Sequence, residues 1–412
     1  MPLSITLTNP RSTYTGGSRI TGVIKFTSCT PTTLQDIRVT FTGLSKSKIS
    51  KAKGAGAPSA TYSGKQVLFE KERILFTANG SVLPPGGYMY PFEFTFPEDV
   101  IGAKKWVEKV PFRSDANQPL PPTFAFKGGD EERKVICDIE YKLEAHVARP
   151  AGGLFSSRTP LFKEEINLNF LPDYAISDGH ENDDLYHQRK DQLFTIRSAL
   201  LLPENKGRSL TLQEKIQGWL LPSQLPRFSF SATFSYPTRV VQDSPLSCFL
   251  EITPHMEDSS IIHPPEINLQ SINVYVISQT SARAAPSLMG SLSAEIGEKV
   301  EISSKASLHL PVSGQINFSD ILGPLALRHM DVSFRTFNIA RTYRLCANMV
   351  FSCAGKSNIF KVTGEEFEVV SDETEMRASL KEQKEVSFDR GRIIAVEEAL
   401  PTYTLFDQGP FG

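Results

Sequence analysis

The sequence predicts an all-β protein built from antiparallel sandwiches or barrels. Apolar and polar residues alternate with a period of two along most of the chain, and Gly, Pro and Asn turns separate the alternating runs. The composition, with 40% hydrophobic and 22% charged residues over 412 positions, is ordinary for a globular protein of two or three domains. Many short strands with Gly/Pro turns are typical of sandwiches and barrels.

The alternation is clearest in KVICDIEYKLEAHV, where one face carries only apolar residues and the other is charged. The apolar face consists of Val135, Cys137, Ile139, Tyr141, Leu143, Ala145 and Val147. The same pattern occurs earlier in SRITGVIKF, DIRVTF and YPFEFTF, and later in RFSFSATFSY, INVYVIS and RTYRLCANMVF. Each run therefore predicts a half-buried strand, and the strands fall into two halves, residues 1–172 and 227–371.

The region between the halves, residues 173–226, has a different composition. It begins with the charged stretch DGHENDDLYHQRKDQ and is later interrupted by Pro203 and Pro222. The segment SLTLQEKIQGWLL predicts a short helix, because its apolar residues have helical spacing and Thr211 with Glu214 would form a capping box. We interpret the region as a linker whose helix lies on one domain, or alternatively binds a partner or a membrane surface.

The last segment, residues 372–412, is dense in charge and poor in aromatic residues, so we expect it to be disordered. The net charge of −2 argues against nucleic-acid binding. The five scattered cysteines suggest neither a disulfide framework nor a zinc site, and favour a reducing compartment. The N-terminus MPLSITLTNP has neither the basic nor the apolar region of a secretory signal, and no apolar run reaches about 18 residues, so we expect no secretory signal and no membrane span. We expect no cofactor and no enzymatic activity, because HExxH, GxSxG and P-loop motifs are missing from the sequence.

Two blocks of the sequence resemble a known family. LPPGGYMYPFEFTFPED (Leu83 to Asp99), flanked by LFEKERILF and IEYKLEAHV, resembles the arrestin N-terminal domain. TFNIARTYRLCANMVFSCAGKSNIF (Thr336 to Phe360) resembles the arrestin C-terminal domain. The closest subclass is the fungal-type α-arrestin, or arrestin-related trafficking adaptor.

The resemblance implies two immunoglobulin-like antiparallel β-sandwiches, at residues 1–172 and 227–371, and no chemistry. It further implies a cytoplasmic adaptor that binds the cytoplasmic parts of membrane transporters or receptors and is recruited to the plasma membrane or endosomes. Adaptors of this subclass recruit a HECT ubiquitin ligase, whose WW domains bind PPxY-like peptides, so that the cargo is ubiquitinated and internalised. The alternative is a ligase-independent sorting or signalling scaffold, such as a retromer-type subunit or a pH-signalling arrestin.

Two Leu-Pro-x-Tyr motifs could serve as the WW ligand. LPTY, formed by Leu400, Pro401 and Tyr403, lies in the tail, where an extended ligand would be accessible. The alternative is an inert tail. LPDY, formed by Leu171, Pro172 and Tyr174, also closes a predicted strand and has a structural explanation. Lys381 and Lys384 in the tail are candidate ubiquitin acceptors.

The stretch from Ser45 to Lys65 is rich in lysine and has no acidic residue. Lys46, Lys48, Lys51 and Lys53 are candidate contacts for anionic lipid headgroups or phosphorylated cargo tails. A peripheral membrane contact would follow from the first of these. The alternative is a solvated hairpin loop.

Overall fold

The computed structural model describes residues 2–52, 60–101, 106–115, 117–150, 160–172, 187–205, 208–212, 216, 220–284 and 292–371. Residues up to Ser371 form one compact unit. Within it, two antiparallel β-sandwiches follow one another along the chain, which confirms the fold class predicted from the sequence.

The first sandwich packs a three-stranded sheet against a five-stranded sheet. The strands of the first sandwich are β1 (Leu3–Leu7), β2 (Arg19–Ser28), β3 (Thr32–Thr33), β4 (Asp36–Lys51), β5 (Ala60–Thr77), β6 (Val82–Leu83), β7 (Gly86–Thr95), β8 (Phe124–Gly129), β9 (Arg133–Val147) and β10 (Phe162–Leu168). The three-stranded sheet has the order β1-β2-β7. The five-stranded sheet has the order β10-β9-β4-β5, and β8 also pairs with β9.

The second sandwich packs a four-stranded sheet against a six-stranded sheet. The strands of this sandwich are β11 (His187–Arg197), β12 (Arg227–Pro237), β13 (Arg239–Val241), β14 (Phe249–His255), β15 (Ile267–Arg283), β16 (Ser293–Pro311), β17 (Gly314–Asn317), β18 (Phe334–Arg335), β19 (Ile339–Cys353) and β20 (Lys356–Val370). The four-stranded sheet has the order β11-β12-β14-β17; the six-stranded sheet has the order β13-β20-β19-β15-β16, and β18 also pairs with β19.

Helical structure is short in the described residues. Single-turn 3₁₀ helices span Ala199–Leu201, Pro203–Asn205 and Pro222–Gln224, and an α-helix spans Phe318–Leu322. Asn317 caps this α-helix, because its side-chain oxygen accepts a hydrogen bond from the backbone N–H of Ser319. None of the described helices is long and apolar enough to cross a membrane.

Strand β9 shows how the alternation produces the first core. Its seven apolar residues from Val135 to Val147 are each at most 1% exposed, as the period of two predicts. Tyr141 is among them, and its hydroxyl donates a hydrogen bond of 2.6 Å to the carbonyl oxygen of Pro121. The buried phenol therefore contributes apolar area without leaving a polar group unpaired.

The predicted linker is too long, because its second part belongs to the second sandwich. Residues His187–Arg197 form β11, which pairs with β12 along its whole length. The sequence HQRKDQLFTIR lacks a clear apolar alternation, because β11 is at a sheet edge and Phe194 and Ile196 alone among its residues are buried. An edge strand tolerates polar residues on both faces, so the alternation fades.

Three residues of the apolar face of the predicted helix are described, and all three are exposed. Residues 212, 216 and 220 are helical, which agrees with a helix between Ser209 and Leu221. Leu212, Ile216 and Leu220 are, however, 76%, 49% and 61% exposed. These three side chains therefore do not pack on a domain, as the first of the two interpretations requires.

Candidate functional site

The two sandwiches meet at a junction built around Asn338, in the turn between β18 and β19. Asn338 is fully buried, and its Oδ1 accepts a hydrogen bond of 2.8 Å from Ser45 Oγ. Its Nδ2 donates to Ser47 Oγ at 3.2 Å and to the carbonyl oxygen of Ser45 at 3.4 Å. Ser47 Oγ in turn donates to the carbonyl oxygen of Arg283, at the end of β15. The inner face of β4 thus fastens the first sandwich to the second through hydrogen bonds.

Arg283 inserts its guanidinium between two aromatic rings of the first sandwich. The charge centre lies 4.9 Å from the ring centroid of Trp106 and 4.7 Å from that of Phe112. Its Nε donates to the carbonyl oxygen of Phe337, and its Nη1 donates to that of Val107 at 2.6 Å. Burial lowers the pKa of Arg283 to about 10, so the side chain remains charged at neutral pH.

A cavity of about 420 Å³ opens beside this junction. Its walls come from both sandwiches: Arg113, Pro119 and Pro121 from the first, and residues of β18, β19 and β20 from the second. Phe124 meets Phe334 edge to face across the boundary, at 4.9 Å between ring centroids. The hydrophobic core of the first sandwich continues into the second here, because Phe334, Phe337 and Ile339 are part of it.

Arg341 connects the same boundary to charged groups. Its Nη1 donates to Thr280 Oγ1 at 2.6 Å, and its Nε donates to the hydroxyl of Tyr343 at 3.1 Å. Carboxylates of Asp331 and Glu298 lie 3.8 Å and 3.9 Å from the guanidinium. Burial raises the pKa of Tyr343 to about 12, against the opposing effect of Arg341, so the phenol stays neutral.

Among the described residues, no group of three His, Cys, Asp or Glu side chains is arranged to hold a metal ion. Burial raises the pKa of the Cys137 and Cys353 thiols to about 12, which makes both poor nucleophiles. The cavity is lined by arginines, glutamates, prolines, phenylalanines and hydroxyl residues, and the Arg335 and Glu366 side chains in it form an ion pair.

The structure separates the predicted lysine cluster. Lys46 and Lys48 lie on the solvent face of β4, where Lys46 forms an ion pair with Glu140 and Lys48 is exposed. Lys51 is an odd number of residues away from Lys46 and Lys48, so it lies on the other side of β4. There it lines a different cavity, of about 430 Å³, whose walls include Asp130 and Glu132. Lys53 lies outside the described residues. Most of the stretch is a regular hairpin of β4 and β5 rather than a loop.

The docking motifs are described only in small part. Leu171 is half-buried, its backbone N–H donates to the carbonyl oxygen of Tyr14 at 2.9 Å, and Pro172 is buried. A WW ligand needs an accessible proline, so these two residues favour the structural explanation of LPDY. Tyr174, together with Leu400, Pro401, Tyr403, Lys381 and Lys384, lies outside the described residues.

Comparison with known families identifies a relative of the first sandwich. A family model described as the arrestin (or S-antigen) N-terminal domain matches residues 3–162, which cover nearly all of the first sandwich. The first sandwich is therefore similar to the N-terminal domain of arrestins. A search of curated proteins finds no match. This domain supports an adaptor kind of role.

Proposed function

We propose that this protein is an arrestin of the fungal α-arrestin type and acts as a trafficking adaptor. It binds cytoplasmic parts of membrane transporters or receptors and recruits a HECT ubiquitin ligase through LPTY in its tail. The observation that supports this best is the order of parts in the chain: a compact body, whose first sandwich matches an arrestin N-terminal domain, ends at Ser371, and the segment that follows carries the motif. The adaptor works in the cytoplasm and is recruited to the plasma membrane or endosomes.

The motif would bind a WW domain in an extended, polyproline-like conformation. Pro401 and Tyr403 would occupy adjacent grooves of the domain, and Leu400 would fill the apolar position that the first proline takes in PPxY. Leucine does not restrict the unbound backbone as proline does. This costs about 1 kcal/mol, or roughly fivefold in affinity.

The test measures binding of the full chain to a panel of HECT-ligase WW domains by isothermal titration calorimetry. Tyr403→Ala should abolish binding, and Leu400→Pro should strengthen it about fivefold. Tyr174→Ala is the matched control, because it removes the tyrosine of the other Leu-Pro-x-Tyr motif. Wild-type binding by Tyr403→Ala would refute the role of LPTY.

Ubiquitination provides the second readout for the tail. If the ligase docks at LPTY, then Lys381 and Lys384 are close to it in sequence and are its nearest acceptors in the tail. The double variant Lys381→Arg and Lys384→Arg should lose modification in a reconstituted reaction while keeping WW-domain affinity. Cargo sorting that survives Tyr403→Ala would instead favour the ligase-independent scaffold.

A further inference from the structure

Strand β16 lies at one end of the six-stranded sheet and has a long unpaired edge. With 19 residues it is the longest of the described strands, and it pairs with β15 on one side. Within the part of the chain that the structure describes, no strand pairs with its other side. This edge therefore carries a row of backbone N–H and C=O groups to which a further strand could bind.

Several other edges of the two sandwiches are covered by side chains or are short. On β7, the carbonyl oxygen of Thr95 accepts a hydrogen bond of 2.8 Å from Lys71 Nζ of β5. On β20, the backbone N–H of Glu365 donates to the hydroxyl of Tyr236 at 3.0 Å. Strand β17, at the edge of the four-stranded sheet, has only four residues. In β16, by contrast, residues 297–301 are all exposed, so both faces of the strand are open to solvent there.

We call residues 297–301, with the sequence GEKVE, the exposed edge. It lies in a regular part of β16, because the register against β15 runs without a shift from residue 293 to residue 301. Val300 is 41% exposed, although Val276, which lies opposite it on β15, is fully buried. The sheet thus extends past the core of the second sandwich at this point. Val300 can therefore still bury apolar surface against a partner.

We propose that the exposed edge pairs with the exposed edge of a second copy of this chain, antiparallel and about a twofold axis at Val300. In this register Lys299 of each copy lies opposite Glu301 of the other, and the two Val300 side chains meet at the axis. Opposite charges and apolar side chains that lie directly opposite each other stabilise the pairing of strands. The six-stranded sheets of the two copies would join into one continuous sheet.

The order of charges along the exposed edge selects this axis. A twofold axis at Glu298, Lys299 or Glu301 would place that residue opposite itself and bring like charges together. An axis at Gly297 would bring the partner strand towards the first sandwich, whose core packs against Ile296. The central valine is the position that avoids both. Because the edge is complementary to itself in charge, it fits a second copy better than a partner of unrelated sequence.

The paired segment is short and its ion pairs are exposed, so we expect weak association, with a Kd on the order of 10–100 µM. A dimer would carry two LPTY tails. On the proposed function, two weak tail ligands in one assembly would bind a ligase with several WW domains more tightly than one tail does. Dimerisation would therefore regulate ligase recruitment through protein concentration.

Sedimentation equilibrium of the full chain, at about 1–200 µM and low salt, measures the dimer. Lys299→Glu and Glu301→Lys each place like charges opposite each other in both ion pairs, so each should weaken dimerisation by at least about tenfold. The double variant Lys299→Glu with Glu301→Lys exchanges the two charges and should restore the wild-type Kd. Lys361→Glu is the matched control, because it reverses an exposed lysine on β20 and should dimerise as the wild type does.

A mixture of the two single variants tests the twofold register directly. The Lys299→Glu chain has two glutamates where the Glu301→Lys chain has two lysines, so the mixture should form mixed dimers although neither variant dimerises well alone. Three results would overturn the proposal: a wild type that stays monomeric up to about 200 µM, single variants that dimerise as the wild type does, or a charge exchange that fails to rescue. Both positions are exposed, and circular dichroism checks that each variant is folded.

This outcome is separable from the fate of the adaptor proposal. Tyr403→Ala should leave dimerisation unchanged, because LPTY takes no part in the exposed edge. If the chain is monomeric while WW-domain binding still depends on Tyr403, the pairing of the exposed edge alone is wrong. If WW-domain binding is insensitive to Tyr403 while the charge-exchange variant rescues the dimer, the ligase role of LPTY alone is wrong.

Discussion

Replacement of Asn338 by alanine tests whether hydrogen bonds fasten the two sandwiches together. The substitution removes the bonds from Ser45 Oγ to Asn338 Oδ1, and from Asn338 Nδ2 to Ser47 Oγ and to the carbonyl oxygen of Ser45. Ser47 Oγ keeps its bond to the carbonyl oxygen of Arg283, but the hydroxyl of Ser45 loses its acceptor in a fully buried position. The substitution therefore leaves the buried Ser45 hydroxyl without a hydrogen-bond acceptor.

The expected cost follows from these contacts. An orphaned buried hydroxyl costs about 1–3 kcal/mol, and the loss of the other bonds adds about 1 kcal/mol. We therefore expect Asn338→Ala to lower the free energy of unfolding by about 2–4 kcal/mol. Asn167 on β10 is exposed, so Asn167→Ala is the matched control and should change stability by at most about 0.5 kcal/mol.

Urea unfolding followed by tryptophan fluorescence gives the measurement. The chain has two tryptophans, Trp106 and Trp219, and Trp106 lies at the junction against Arg283. A Trp219→Phe background therefore makes the fluorescence report on the junction. If Asn338→Ala shifts the unfolding free energy no more than the Asn167→Ala control does, hydrogen bonds at Asn338 do not hold the sandwiches together.

Three further predictions concern other parts of the body. Glu144 should make stability fall in acid: partial burial raises its pKa, but hydrogen bonds from lysines, Lys163 foremost, outweigh burial and bring the pKa from 4.5 to about 2. Because the folded pKa is depressed, this stability is present above pH 4.5 and is lost as the pH falls towards 2. Glu144→Gln should therefore reduce the loss of unfolding free energy over this pH range, measured by urea unfolding, by about 1–2 kcal/mol. Leu212→Ser with Ile216→Ser should leave the melting temperature within about 1 °C of the wild type, because both side chains are exposed, and a larger drop would show that they pack. Gly364→Ala should lower the free energy of unfolding by more than about 2 kcal/mol, because the new Cβ would lie 2.5 Å from a main-chain oxygen of β19. Urea unfolding measures this change, and a variant as stable as the wild type would show that the strands can separate there.

The sequence predicts the strands well where one face is buried in apolar surroundings and poorly at the junction. In β9 every predicted inward residue is buried. In β4, Ser45 and Ser47 are buried because they bond to the second sandwich, while Lys46 and Lys48 face outward. Polar residues on both faces cancel the period-two signal, so the sequence suggests a loop where the structure has a strand.

Arg283 shows a second limit of prediction. Its sequence context, TSARAAPS, resembles a loop after a strand and gives no sign of a buried arginine. The side chain is buried because Trp106 and Phe112 of the other sandwich supply aromatic faces and backbone carbonyls supply acceptors. Val107, which supplies one of the carbonyls, is 176 positions away in sequence and Phe337, which supplies the other, is 54 positions away, so no local pattern could identify them.

The lysines of the first sandwich show why period-two reasoning finds one face of a strand but not the residues that share it across a sheet. Alternation correctly assigns Lys46 and Lys48 to one side of β4, and it would equally place Lys51 on the other. It cannot show that β9 lies beside β4, or that β8 lies beyond β9, because the spatial order β8-β9-β4-β5 differs from the order in the chain. Lys127 and Lys134 join Lys48 through this topology alone, so a charge cluster that is linear in sequence becomes a different, two-dimensional cluster once the register is known.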